Sequence, residues 1–209
     1  MHVIPSALQR HPERSRGICP HLQQVLRLAS LAQDDVYLKR NNFMPGKKNI
    51  LSKEAAIQKL HRMALELAEN LNGDGVPVVL IGIRNSGMVV AEKIGSFLKQ
   101  YITSEIRIIA ASLDKTLPKE VVLSESIDFN GLHVVLIDDV TDSGRTLLYA
   151  LKPLLAYHPK SIQTMVLVER MHKLFPVKPD YVGLSIATTL QDHIQVEVSN
   201  GEVEGAYIV

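Results

Sequence analysis

An α/β chain built on one doubly wound parallel sheet, with a small antiparallel annex at the C-terminal end, follows from three observations. Val78-Val79-Leu80-Ile81-Gly82-Ile83 is an uninterrupted apolar run, of the kind buried on both faces of a parallel sheet. Strand-sized and helix-sized segments alternate between Ile50 and Val168, as repeated strand-helix-strand units require. Alternating apolar and polar residues flank Asn200-Gly201 on both sides, a strong hairpin signal.

Each element can be justified in turn. Ser52 is placed to cap a helix whose first turn carries Glu54, an acid favourable at that end. Ile57, Leu60, Ala64, Leu67 and Leu71 recur at helical spacing and predict one buried stripe. Asn72-Gly73-Asp74-Gly75 ends it. After the first strand a helix is expected from Met88 to about Tyr101, with Ala91, Ile94, Leu98 and Tyr101 turned inward. A second strand is expected from Ile106 to Ala110, then a polar stretch over 111–130 in which Val121-Val122-Leu123 has the makings of a short strand. His133 to Ile137 reads as a third strand ending in Asp138-Asp139. A helix from near Gly144 should run past Leu151 until Pro153 kinks or ends it. Ile162 to Val168 is a fourth strand, and the hairpin pairs the segment from His193 with Glu202 to Val209.

Composition bounds the rest. The chain has 209 residues, 46 % hydrophobic and 22 % charged, which suits a globular domain with a substantial core. No uncharged apolar stretch reaches the ~18 residues of a membrane span. A single cysteine, Cys19, excludes a disulfide framework and a cysteine-based zinc cluster and suits a reducing, cytoplasmic setting. Residues 1–43 differ from the remainder: Pro5, Pro12 and Pro20 interrupt them, and they hold six Lys/Arg against three acids. They read as a disordered or spurious leader, the folded domain occupying 44–209. The start resembles an organelle transit peptide only superficially, because Pro12, Glu13 and Pro20 break the amphipathic helix. Residues 44–209 carry 17 basic and 19 acidic side chains, without the basic excess of a general nucleic-acid binder.

Chemistry concentrates in the stretch Val134-Val135-Leu136-Ile137-Asp138-Asp139-Val140-Thr141-Asp142-Ser143-Gly144-Arg145-Thr146. Thr141, Ser143 and Thr146 offer hydroxyls, and Gly144 lets the backbone approach a ligand closely. The loop lies where a strand hands over to a helix, and free N–H groups at such a point favour a phosphate. Two adjacent carboxylates need partners that sugar hydroxyls can supply, directly or bridged by a metal. A phosphate cradle beside an acidic pair suits a ribose 5-phosphate. Gly82-Ile83-Arg84-Asn85-Ser86-Gly87 also follows a strand and opens a helix. Met88 stands where a P-loop needs lysine, which excludes the nucleotide-triphosphatase reading. His61, His133, His158, His172 and His193 show no metal-ligand spacing and are expected to serve surface or packing.

The acidic-glycine loop resembles the binding motif for 5-phosphoribosyl 1-pyrophosphate (PRPP) of the type I phosphoribosyltransferases. The resemblance implies the doubly wound fold of that family with an antiparallel hood, Mg²⁺ carried by PRPP near Asp138 and Asp139, and a homodimer. It implies that Asp138 and Asp139 face the ribose hydroxyls while Thr141, Asp142, Ser143, Gly144, Arg145 and Thr146 hold the 5-phosphate. Ile83, Arg84, Asn85, Ser86 and Gly87 would bind pyrophosphate, with Arg84 stabilising the leaving group. Residues 111–126, with Lys115 and Lys119, stand where the family has a mobile hood.

Val168-Glu169-Arg170 and Lys178-Pro179-Asp180-Tyr181-Val182-Gly183 resemble two branches at once. In both, Tyr181 would stack on the base and the backbone near Val182 would read its edge. Glu169 departs from the hypoxanthine-guanine branch, which has lysine there, and agrees with the bacterial pyrimidine-operon attenuators that carry uracil phosphoribosyltransferase activity. Asp142 matches the purine branch, where the aspartate lies near N7 and would accept a proton; for uracil it would position the phosphate loop. Similarity over residues 50–198 favours the attenuator branch, and so uracil as the free base. Arg62, His172 and Lys173 are the residues through which RNA could be bound, a reading the acidic body does not favour.

Overall fold

The computed structural model describes residues 47–71, 73–114, 120–188 and 192–209. The leader expected over 1–43, and Lys115 and Lys119 of the expected hood, lie outside them. A six-stranded sheet runs in the order β4 (Val121–Leu123), β3 (Ile106–Leu113), β2 (Val78–Ile83), β5 (His133–Thr141), β6 (Ser161–Arg170), β7 (Tyr181–Ile186), and a three-stranded one in the order β1 (Lys48–Ser52), β9 (Glu202–Ile208), β8 (Ile194–Ser199). In the large sheet, β2, β3, β5, β6 and β7 are parallel. Only β4 pairs antiparallel, on β3.

Helices α1 (Lys53–Leu71) and α2 (Arg84–Leu98) cover one face; their Leu60, Met63, Leu67, Val90, Ile94 and Leu98 share a core with Val135 and Ile137 of the sheet. The other face is covered by α3 (Arg145–Ala150) and a 3₁₀ turn, Lys152–Ala156, through Leu147, Ala150 and Leu154. The sheet is therefore wound on both sides. The small sheet joins the first core through Leu51, Val196, Val203 and Ala206.

Most expected elements are present with shifted ends. Ser52 Oγ accepts the Ala55 N–H at 3.2 Å, as its capping position demands. The stripe of α1 buries Leu60, Ala64, Leu67 and Leu71, but Ile57 is only half-buried while Ala56 and Met63 take the centre. Helix α2 starts four residues before Met88 and ends at Leu98. Tyr101 follows in a turn, half-buried, against the His61 ring. Pro153 lacks the N–H that an α-helix would need, and α3 stops at Ala150 with a 3₁₀ turn after it. Strand β5 continues through both aspartates to Thr141. The hairpin turns on Asn200 (φ 50°) and Gly201 (φ 75°), the left-handed pair that a two-residue turn requires. Strand β1 was not anticipated: its partner β9 lies at the far end of the sequence.

Candidate active site

Neighbours of β2 decide where a ligand can sit. Strand β3 lies on one side of it and β5 on the other, so the connections leaving β2 and β5 diverge to opposite faces. The crevice at such a switch point, beyond the C-terminal ends of the strands, is where open α/β sheets bind ligands. Residues 83–87 run from the end of β2 into the first turn of α2, and residues 138–146 run from the end of β5 through the turn 142–144 into α3; these are the two loop regions of the site.

Gly87 lets the two loops meet. A Cβ there would stand 2.9 Å from Ile137 O, 3.2 Å from Asp138 Cα and 3.3 Å from Asp138 Oδ1, so any side chain would push β5 away. Gly82 is equally constrained, its Cβ position lying 2.6 Å from Met88 Cα. Between these glycines Arg84 adopts φ 59°, a left-handed conformation that costs a non-glycine residue free energy and often marks a functional site. Its guanidinium donates to the Leu113 carbonyl at the end of β3. Its Nε is buried without a hydrogen-bond partner. Buried polar groups are ordinarily paired, so Arg84 is a point of incomplete pairing.

A cavity of about 440 Å³ is lined by Arg84, Asn85, Ser86, Ser112, Leu113 and Asp139. It brings the first loop and the acidic pair together. The two aspartates are not equivalent, because successive residues of a strand point to opposite sides. Asp139 is half-buried and faces the cavity. Asp138 is only 3 % exposed and its Oδ1 accepts the Asp139 N–H at 3.0 Å. Among the described residues no group of three or more His, Cys, Asp or Glu is arranged to hold a metal ion. Asp139 alone of the pair lines the cavity, so a cation there would take most of its ligands from the substrate.

Around the second loop, Thr141 is buried, Thr146 half-buried and Arg145 exposed, its guanidinium 5.1 Å from the Phe175 ring centroid. Gly144 supplies φ 83° at the turn into α3. With only six residues, α3 adds little dipole at its N-terminus. Asp142 is 61 % exposed at its side chain and accepts a 2.7 Å bond from Arg170 Nη1. Arg170 is itself buried, donating also to Thr188 Oγ1 and the Asp192 carbonyl.

A larger cavity of about 780 Å³ adjoins the ends of β6 and β7, its walls including Arg62, Glu66, Glu169, Lys173, Val182 and Ser185. Glu169, 6 % exposed, accepts the Ser185 hydroxyl at 3.0 Å and pairs with Lys173 at 3.5 Å. Burial lowers the Lys173 ammonium pKa from its ordinary value, opposed by the Glu169 and Asp142 carboxylates. Val182 lines this cavity, but its carbonyl already accepts Arg62 Nη2 at 2.6 Å. Tyr181 is elsewhere: 3 % exposed, it packs in the core and its hydroxyl accepts Asn70 Nδ2 at 2.8 Å. Burial pushes its phenol pKa upward. As placed, its ring offers no open face to a ligand.

Of the residues that sequence reasoning assigned to RNA, Arg62 is engaged with Glu66 and Val182, and Lys173 with Glu169; His172 alone is exposed. His133 is buried with Nδ1 2.6 Å from Ser161 Oγ and Nε2 3.0 Å from Asp74 Oδ2, a packing role as expected. No helix among the described residues is long and apolar enough to cross a membrane.

Comparison with known proteins places this geometry. Residues 46–200 match the family model described as the phosphoribosyl transferase domain. The bifunctional protein PyrR of Ligilactobacillus salivarius is 33 % identical over 170 residues, covering 76 % of this chain and 94 % of its own. That of Roseiflexus sp. is 34 % identical over 178 residues, covering 78 % and 96 %. The hypoxanthine phosphoribosyltransferase of Trypanosoma cruzi superposes with a TM-score of 0.66 at 19 % identity, over 77 % of this chain and 95 % of that one; at that identity it speaks for the fold alone. With a doubly wound sheet, two facing loops at its switch point and a family match over most of its length, the chain belongs to the phosphoribosyltransferases.

Proposed function

We propose that the protein transfers the 5-phosphoribosyl group of PRPP to uracil, giving uridine 5′-monophosphate and pyrophosphate. The observation that carries the transferase reading is the cavity shared by Arg84, Asn85, Ser86 and Asp139, with Arg84 held in a left-handed conformation at its wall. Uracil is supported by Glu169, where the resemblance is to the attenuator branch.

In the reaction a ring nitrogen of the base bonds to the anomeric carbon as its bond to pyrophosphate breaks, and the nitrogen's proton leaves to a base or solvent. The leaving group carries high negative charge, so preorganised donors aimed at it lower the barrier. Arg84 and the amides of residues 85–87 supply them. Asp139, turned to the cavity, holds the ribose hydroxyls, and the buried Asp138 braces it through the Asp139 N–H, while the backbone and hydroxyls of residues 141–146 hold the 5-phosphate. Asp139, with Asp138 beside it, would hold a Mg²⁺ brought with PRPP, and the ion would neutralise charge on the pyrophosphate.

A purine substrate is the second reading, and the exposed carboxylate of Asp142 favours it. There it would take the proton from the base after parting from Arg170. RNA is not part of the proposal, because Arg62 and Lys173 spend their charge inside the molecule.

The test is pyrophosphate release by the full chain with PRPP and Mg²⁺, offering uracil, hypoxanthine, guanine and xanthine separately. Turnover with uracil alone is expected. Turnover with a purine alone transfers the assignment to the second reading, and no turnover with any of the four overturns the salvage reaction.

A further inference from the structure

Three consecutive carbonyls of the loop after β5 are held from behind by one short segment. Lys173 Nζ donates to Thr141 O and Asp142 O, each at 3.2 Å, and to Arg170 O at 2.7 Å. Leu174 N and Phe175 N both donate to Ser143 O at 3.0 Å. A trans peptide points its N–H opposite its C=O, and no peptide in the described chain is cis. With the carbonyls of 141–143 held behind the loop, the N–H groups of Asp142, Ser143 and Gly144 turn to its other side. Successive amides facing one way make an anion-binding concavity. The packing behind is tight: a Cβ on Gly144 would stand 3.1 Å from Val177 O and 3.3 Å from Phe175 O.

Lys173 is the charged member of this support, and its side chain is 14 % exposed. Its ion partner Glu169 accepts the Ser185 hydroxyl, and Lys173, Glu169 and Ser185 all line the larger cavity. One ammonium thus touches the backbone of the phosphate loop and the wall of the neighbouring cavity.

We propose that Lys173 is a positioning residue: it fixes the backbone of residues 141–142 so that the loop amides face the 5-phosphate of PRPP, and through Glu169 it ties that loop to the larger cavity. The inference rests on the reading of this loop as the 5-phosphate site.

The test uses calorimetry on the full chain with three ligands: PRPP with Mg²⁺, ribose 5-phosphate, and pyrophosphate. Lys173→Met should weaken PRPP and ribose 5-phosphate by a similar factor, about tenfold for the loss of charge-assisted hydrogen bonds. Pyrophosphate, which meets the other loop, should bind as to the wild type. Lys173→Arg should recover part of the loss, since it restores the cation and its donors. A general loss of structure would instead weaken all three ligands. If Lys173→Met does not fold, Lys173→Gln, which keeps a donor without the charge, is read by the same pattern. Wild-type affinity for ribose 5-phosphate in the variant, or an equal loss of pyrophosphate, overturns the inference. A wild-type chain that binds neither PRPP nor ribose 5-phosphate overturns the phosphate-site reading beneath it, and that result is seen before any variant is made.

Discussion

At the N-terminal end of the large sheet His133 is buried with Ser161 on one ring nitrogen and Asp74 on the other, and Lys160 adds a second bond to Asp74. Nearby, Thr164 donates both its N–H and its hydroxyl to Asp180 Oδ2. At the C-terminal end the polar groups are arranged differently: Arg84 is left-handed with an orphan Nε, Asp139 lines an open cavity, and Glu169 and Lys173 form the wall of another. The first network closes on itself and ties strands together; the second leaves Asp139 facing an open cavity and Arg84 Nε without a partner. Buried polar groups are paired in stable structures, so incomplete pairing beside strained backbone marks where function was placed over stability.

Substitutions should separate the two ends, and the largest effect belongs to the open one. Asp139→Asn should cut kcat/KM for PRPP by about a hundredfold or more while leaving the melting temperature nearly unchanged; a loss below threefold in steady-state assays would break the comparison. Gly87→Val comes next. Its side chain cannot fit against Ile137 and Asp138, so it should lower activity and also cost about 1–3 kcal/mol of stability by overpacking, read from urea unfolding. At the closed end, His133→Ala should cost about 1–3 kcal/mol, because it removes the bonds to Ser161 and Asp74 and leaves a void where a buried ring stood, yet leave kcat and KM within about twofold of the wild type on the same scale of effect. A tenfold kinetic change from that substitution would make the closed network part of the site.

The smallest effect is on pH dependence. Hydrogen bonds from Lys160, and then from His133 and the Val76 N–H, hold the Asp74 carboxyl well below its ordinary value of 3.8. A carboxylate depressed in the folded state contributes stability that is present above its unfolded value and lost as pH falls below it. Acid unfolding below about pH 4 should therefore be less steep in Asp74→Asn than in the wild type. Identical profiles would remove Asp74 from the acid sensitivity.

How much the sequence revealed follows the same division. The acidic-glycine loop was legible because its chemistry is contiguous: residues 138–146 carry acids, hydroxyls and glycine in one stretch. The sheet was legible from unbroken apolar runs such as that of β2, all six of whose residues are buried. Strand β1 was not, because Lys48-Asn49-Ile50-Leu51-Ser52 has no clean alternation and pairs with a strand some 150 residues away. Alternation on the edge strand β7 could not say whether Tyr181 or Val182 meets the cavity; Val182 does, and Tyr181 lies in the core. The inward turn of Lys173 was also hidden. A lysine after a strand ordinarily reads as solvated charge, and only the approach of residues 170–175 to the loop carbonyls turns it into part of the frame.

The central claim is that the loops after β2 and β5 form one PRPP site, and hydrogen exchange read by mass spectrometry tests it most directly. Adding PRPP with Mg²⁺ to the full chain should slow exchange in peptides spanning both 83–90 and 138–147, with little change around His133 and Ser161. Protection of neither loop, or protection confined to the opposite end of the sheet, would contradict it.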